Sequence, residues 1–212
     1  MRPAQRHIRS YGQPSIRSLR RRTLAEVARL ARSTTVTGPA TILELVSSEA
    51  HKAVAPARVR AFVLTISDTR TDDTDTAGLA ICELLKGAGH VVAGKAIEKD
   101  EPARVSELVR QQAAIGDVDA IITTGGTGVT SRDSTFEAID ALLTKRLPGF
   151  GELFRMLSYQ DIGSAAMMSR ACAGTIGKVV VISLPGSEKA VRLAMTKLVT
   201  PELGHLVQQA TK

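Results

Sequence analysis

Four short apolar runs, each leading into a polar or glycine-bearing loop, constrain this 212-residue chain more than any other feature. They are 59–66 (VRAFVLTI), 90–97, 119–123 (DAIIT) and 178–183 (KVVVIS), rich in β-branched residues and of strand length. Helical patterns lie between them. One covers 76–88, with Leu79, Cys82 and Leu85 spaced along an apolar face and Gly87 and Gly89 to stop it. A second opens at 98–102 (EKDEP) and runs to about 114, and a third covers 135–143. Strands that are apolar on both faces and alternate with helices predict an α/β fold, a three-layer α/β/α sandwich with a mostly parallel sheet. Right-handed crossovers put every strand-to-helix loop at the carboxyl edge of that sheet. Loops 67–70, 98–101, 124–133 and 184–187 therefore meet on one rim, where open sheets of this kind bind ligands.

The formal charge of +7 suggests nucleic acid until it is located. Residues 1–55 hold nine Arg and one Lys against Glu26, Glu44 and Glu49, so the whole excess sits there; residues 56–212 carry 18 basic and 18 acidic side chains and are neutral. Pro56 marks the expected boundary between a basic, disordered N-terminal extension (1–55) and the α/β domain (56–212). The extension contains Arg20-Arg21-Arg22 and a short helical pattern at 23–32. It is Arg-rich and acid-poor, as a transit peptide is, yet lacks the apolar stretch of a secretory signal. Such a tail can hold polyanions loosely, but a neutral domain does not call for nucleic acid as a partner. No apolar run reaches the ~18–20 residues a membrane span needs. Cys82 and Cys172 match no metal or redox spacing, which predicts buried free thiols in a reducing, cytoplasmic compartment.

The most informative stretch is Thr123-Thr124-Gly125-Gly126-Thr127-Gly128. Glycines directly after a strand let the backbone approach a ligand and turn N–H groups toward an anion, and Thr124 and Thr127 add hydroxyls. The P-loop pattern fails, because Gly128 is followed by Val129-Thr130-Ser131; the dinucleotide fingerprint fails at Ser131. Alone, the turn also fits a tight bend with no ligand. Asp133 could cap the next helix, but Ser134 and Thr135 are available for that, with Glu137 close behind. For Asp100 taken alone, capping the helix that begins near Pro102 is the simpler reading. Two carboxylates from neighbouring strand ends beside an anion-binding turn are also what a Mg²⁺–nucleotide site needs, since Mg²⁺ takes a few hard oxygens and shares the phosphates. Arg132, Arg155 and Arg170 are candidates for phosphate, with surface solvation or intersubunit pairing equally open for Arg155. The four histidines are scattered, and no nucleophile–base pairing supports acyl transfer.

Several linked motifs resemble one family. Ile66-Ser67-Asp68-Thr69-Arg70, Asp75-Thr76-Ala77-Gly78, the glycine turn with Arg132-Asp133, Leu147-Pro148-Gly149-Phe150-Gly151-Glu152, Met168-Ser169-Arg170-Ala171 and Leu184-Pro185-Gly186-Ser187 occur in the order of the molybdopterin-binding family of molybdenum cofactor biosynthesis. The match spans about 58–207, and 154–158 with 161–163 are closer to its MoaB branch than to MogA. The resemblance implies a molybdopterin adenylyltransferase, which moves AMP from ATP to molybdopterin with Mg²⁺ and releases pyrophosphate. It implies that Asp100 and Asp133 are catalytic and hold the metal. It implies that Thr124, Gly125, Gly126, Thr127 and Gly128 hold phosphate, with Ser67, Ser169, Arg170, Pro185, Gly186 and Ser187 near the pterin or its phosphate. It further implies a homotrimer or hexamer and handover of product to a molybdenum insertase. The chain departs from the pattern at Lys99 and Phe136, where proline is usual. A non-catalytic molybdopterin carrier is the alternative; an arm for anionic partners in residues 1–55 is a second one.

Overall fold

The computed structural model describes residues 55–130 and 133–212. Residues 1–54 of the basic extension, with its expected helix at 23–32, lie outside the described residues, as do Ser131 and Arg132. The elements run β1 (Arg60–Ile66), α1 (Thr76–Gly87), β2 (Val91–Glu98), α2 (Pro102–Ile115), β3 (Ala120–Gly125), α3 (Thr135–Leu142), β4 (Lys145–Arg146), α4 (Pro148–Ile162), a 3₁₀ turn (Gly163–Met168), β5 (Cys172–Ile176), β6 (Val179–Leu184), α5 (Glu188–Ala194), a π turn (Met195–Val199) and α6 (Thr200–Thr211). They form one six-stranded sheet in the order β2-β1-β3-β6-β5-β4. β3 and β6 are buried at every position and β1 at all but Arg60, because both faces of the central strands are covered.

Two apolar layers flank the sheet. Val59, Ala61 and Val63 join Ile81 and Leu85 of α1, Phe154 of α4 and Met195 and Leu203 near the carboxyl end. Phe62, Leu64 and Ile66 point the other way, toward Val105 and Val109 of α2 and Ile139 of α3. This is the three-layer α/β/α sandwich the alternation predicts. β2, β1, β3 and β6 are parallel, whereas β5 pairs antiparallel with β6, and β4 antiparallel with β5. The sequence pattern did not identify β4, α4 or β5: β4 and β5 span only two and five residues, and the apolar residues of α4 are spread around the helix, with Leu153, Met156, Tyr159 and Ile162 exposed.

The expected apolar face of α1 needs correction. Leu85 is buried as expected, but Leu79 is 48% exposed and Cys82 half-buried; the other buried positions are Ala77, Gly78, Ala80 and Ile81. Both cysteines are free but half-buried rather than buried. Burial still pushes the Cys172 thiol up to about 12 and also raises that of Cys82.

One irregularity bears on the rim. Ala61 pairs with Val92 but Phe62 pairs with Gly94, so β2 carries an extra residue, Ala93. Gly94 suits that bulge, since the Phe62 ring lies 3.0 Å from where a Cβ would stand. Beyond the bulge Lys95 pairs with Val63, on the α1 side of the sheet; unbroken pairing would set it beside Leu64 in the opposite apolar layer.

Candidate functional site

β1, β2, β3 and β6 all end at the carboxyl edge, and the four loops expected on the rim leave from those ends. The turn after β3 is sterically dictated. Gly125 has φ +99° and Gly126 φ +63°, and a Cβ at Gly125 would stand 2.1 Å from the Ile66 carbonyl oxygen. No other residue lets β1 and β3 stay paired to their last positions, Ile66 and Gly125. A Cβ at Gly186 would come within 3.3 Å of Gly125 Cα, so the loop after β6 lies directly on the turn. Thr124 is fully buried and donates its hydroxyl to the Pro185 carbonyl at 2.8 Å, which ties the two loops together. Its proton is thereby directed into the scaffold, and Thr127 is 8% exposed. The face of the turn left for a ligand is chiefly backbone.

The two aspartates flank this turn. Asp100 Oδ1 lies 3.2 Å from the Cβ position of Gly126, and Asp133 Oδ2 lies 2.4 Å from that of Gly128. Asp100 caps no helix: the N-cap of α2 is Glu101, without a side-chain cap bond, and Asp100 Oδ1 accepts from the Thr135 hydroxyl. The backbone N–H of Asp100 donates to Asp68 Oδ1 at 3.2 Å, joining the loops after β1 and β2. Asp133 closes its own turn, with Oδ2 accepting from the Thr130 N–H at 2.8 Å and the Thr130 hydroxyl at 2.6 Å. Ser134, at the N-cap of α3, makes no side-chain cap bond.

Arg170 stands behind the glycine turn. Its Nε donates to the Thr127 carbonyl at 2.9 Å, Nη2 donates to the carbonyls of Gly128 and Asp133, Nη1 to Glu137, and the guanidinium lies 4.6 Å over the Phe136 ring. Four hydrogen bonds from a side chain with five N–H donors make it a strut for the turn. The ion pair with Arg170 helps hold Glu137 below the usual carboxylate range, after the larger effect of its own backbone N–H. Ser67 Oγ accepts from the N–H groups of Thr69 and Arg70, each at 3.2 Å, shaping the loop that carries it. Ser187 Oγ accepts from Ala190 N–H and so caps α5. Ser169 and Ser187 line a cleft of about 70 Å³ with Ser158 and Lys189, set apart from the small cleft over Gly125 and Gly186. Arg155 lines another cleft with Arg146 and Glu152.

The sequence reading missed a polar cluster beneath the rim. Asp75, 1% exposed, caps α1 through Oδ1 (Gly78 N–H, 2.9 Å), while Oδ2 accepts from the Thr65 hydroxyl and pairs with Lys95 Nζ, both at 2.8 Å. The available signal was Lys95 itself, a cation between apolar residues inside strand β2 (VVAGKAIE). A separate cleft, about 540 Å³, lies at the opposite edge, where Arg60 is paired with Asp119 at 2.8 Å. It lacks the glycine turn and the converging loops. Among the described residues there is no cluster of three or more His, Cys, Asp or Glu that could hold a metal, and no helix long and apolar enough to cross a membrane.

A glycine turn flanked by carboxylates on the carboxyl edge of a mostly parallel, helix-covered sheet defines an open α/β ligand-binding protein. Residues 62–205 match the family described as "Probable molybdopterin binding domain". The chain is 56% identical over 157 residues to molybdenum cofactor biosynthesis protein B of Bacillus anthracis, covering 74% of this chain and 93% of that one. A crystal structure of molybdenum cofactor biosynthesis protein B superposes with a TM-score of 0.72 at 54% identity, covering 74% of this chain and 98% of the other. The tungsten cofactor synthesizing protein MoaB from Pyrococcus furiosus superposes with a TM-score of 0.66 at 37% identity, covering 74% and 100%. The chain belongs to the molybdopterin-binding family of molybdenum cofactor biosynthesis, in its MoaB branch.

Proposed function

We propose that this protein works in molybdenum cofactor biosynthesis by transferring AMP from ATP to molybdopterin. The supporting observation is the pair Asp100 and Asp133 on either side of the Gly126–Gly128 turn, with Asp100 free of any helix-capping duty. In the reaction, an oxygen of the molybdopterin phosphate bonds to the α-phosphorus of ATP. The bond from that phosphorus to the oxygen bridging to the β-phosphate breaks, and pyrophosphate leaves with the electron pair. The nucleophile is already anionic, so no strong base is required, and positioning with charge neutralisation carries the acceleration.

Asp100 and Asp133 are hard oxygen donors beside a phosphate-sized backbone cradle, and this donor set fits Mg²⁺ shared with the phosphates. Bound there, Mg²⁺ supplies neutralisation of the pyrophosphate charge. The N–H groups of Gly125 to Gly128 orient phosphate oxygens, Arg170 and Thr124 keep that backbone rigid, and Asp68 holds Asp100 in place through its N–H. Exposed Leu153, Met156, Tyr159, Ile162 and Met167 on α4 and the following turn support self-association as a trimer or hexamer. The free thiols are consistent with a cytoplasmic setting.

The test is an anaerobic assay of purified protein with molybdopterin, ATP and Mg²⁺, following adenylyl-molybdopterin and pyrophosphate. Asp100→Asn and Asp133→Asn should each lower turnover at least ~100-fold while still binding molybdopterin. Molybdopterin binding by wild type without ATP-dependent product makes the protein a carrier and refutes adenylyl transfer.

A further inference from the structure

The small cleft over Gly125 and Gly186 and a larger one of about 550 Å³ between the ends of β1 and β2 share Ser67 and Arg70 in their linings, so the two adjoin along the rim. Lys95 lines the larger cleft and Asp75 the smaller. The β-bulge at Ala93 aims Lys95 there. Its two carboxylate partners differ in kind. Asp75 is committed, being buried, capping α1 and bonded to Thr65. Asp72 is 92% exposed and reaches Nζ at 3.1 Å from a turn that Thr71 and Thr74 close between themselves. An ion pair with so exposed a carboxylate is worth little, and a multiply charged phosphate oxygen makes a stronger bond to an ammonium. Burial lowers the proton affinity of Lys95, but Asp75 and Asp72 outweigh it, so the ammonium keeps its charge.

The geometry points to Lys95 as a further anion-receiving residue: a phosphate oxygen of the bound ligand replaces Asp72 on its ammonium, while Asp75 stays in place. This rests on reading the rim as a phosphate-ester site, and it adds a second phosphate contact one cleft away from the glycine turn. The phosphate could be the polyphosphate tail of ATP or the monoester phosphate of molybdopterin, and either makes the same bond. Asp72 then acts as a stand-in that screens the cation and is released when a phosphate takes its place.

Calorimetric titration of the full-length protein with inorganic pyrophosphate, inorganic phosphate and adenosine tests this. Asp72→Asn alters only an exposed side chain and should tighten anion binding about threefold, whereas Lys95→Gln should weaken it about tenfold, equivalent to ~1.4 kcal/mol. Adenosine should be indifferent to both. An effect confined to pyrophosphate assigns the nucleotide tail, and one confined to phosphate assigns the pterin monoester. Anion binding that is absent in wild type, or unchanged in Asp72→Asn, overturns the inference even if Lys95→Gln misfolds. Product formation by wild type with affinity unmoved in Asp72→Asn refutes only this inference; Lys95-dependent anion binding without product refutes only adenylyl transfer.

Discussion

Asp75→Ala tests how the rim is held from below. The carboxylate makes three separable contributions. It accepts from the Gly78 N–H at 2.9 Å as the N-cap of α1, and losing such a cap costs about 1 kcal/mol. It accepts from the Thr65 hydroxyl, which is 4% exposed and would be left buried without its acceptor, at about 1 kcal/mol. It pairs with Lys95 at 2.8 Å. Breaking a fully buried pair costs about 3–5 kcal/mol, but Lys95 keeps Asp72 and is 17% accessible, which reduces this to about 1–2 kcal/mol. The sum is about 3–4 kcal/mol, a shift in Tm of roughly 10 °C at fixed protein concentration for a domain of this size. Asp75→Asn keeps an oxygen for the Gly78 N–H and should lose less. Urea denaturation followed by far-UV circular dichroism reads both variants. A loss below ~1 kcal/mol in Asp75→Ala would show that the cluster does not anchor α1 and β2 to each other.

Gly125→Ala should destabilise the fold by about 2–4 kcal/mol, because its Cβ would meet the Ile66 carbonyl at 2.1 Å in a left-handed backbone; urea midpoints measure it. A hydrogen bond from Arg60 holds Asp119 below the usual carboxylate range. The pair's stabilisation is therefore present above the unfolded-state pKa of Asp119 and is lost as pH falls through its lowered folded value. Arg60→Gln should remove that acid-side part and flatten the Tm–pH curve below about pH 4, as thermal scans across pH would record. Met156→Glu places a charge on the exposed apolar surface of α4, and sedimentation should show a smaller assembly than wild type, with the circular dichroism spectrum retained.

Much of the site was legible because its signals are local. A β-branched run ending in Gly125-Gly126 specifies a buried strand and a backbone turn that only glycine permits, and the linked motifs specify the family. The positions of Asp100 and Asp133 at strand ends likewise follow from chain order and crossover handedness. What those side chains bond to does not. Capping was the simpler reading for Asp100, yet its partner is Thr135, thirty-five residues away. The resemblance implies ligand contacts for Thr124 and Arg170, and their donors are aimed at neighbouring carbonyls and, for Arg170, at Glu137 as well.

The amino-acid sequence by itself determined the alternation of strands and helices, the carboxyl-edge rim and the glycine turn, because each is encoded in periods of a few residues and in backbone sterics. The tertiary structure alone decided the antiparallel addition of β4 and β5, the exposure of Leu79 on α1, and the direction of Lys95. That last choice turns on a one-residue register shift opposite Phe62. Register is settled by side chains of two strands fitting between the same layers, and no segment read on its own contains it.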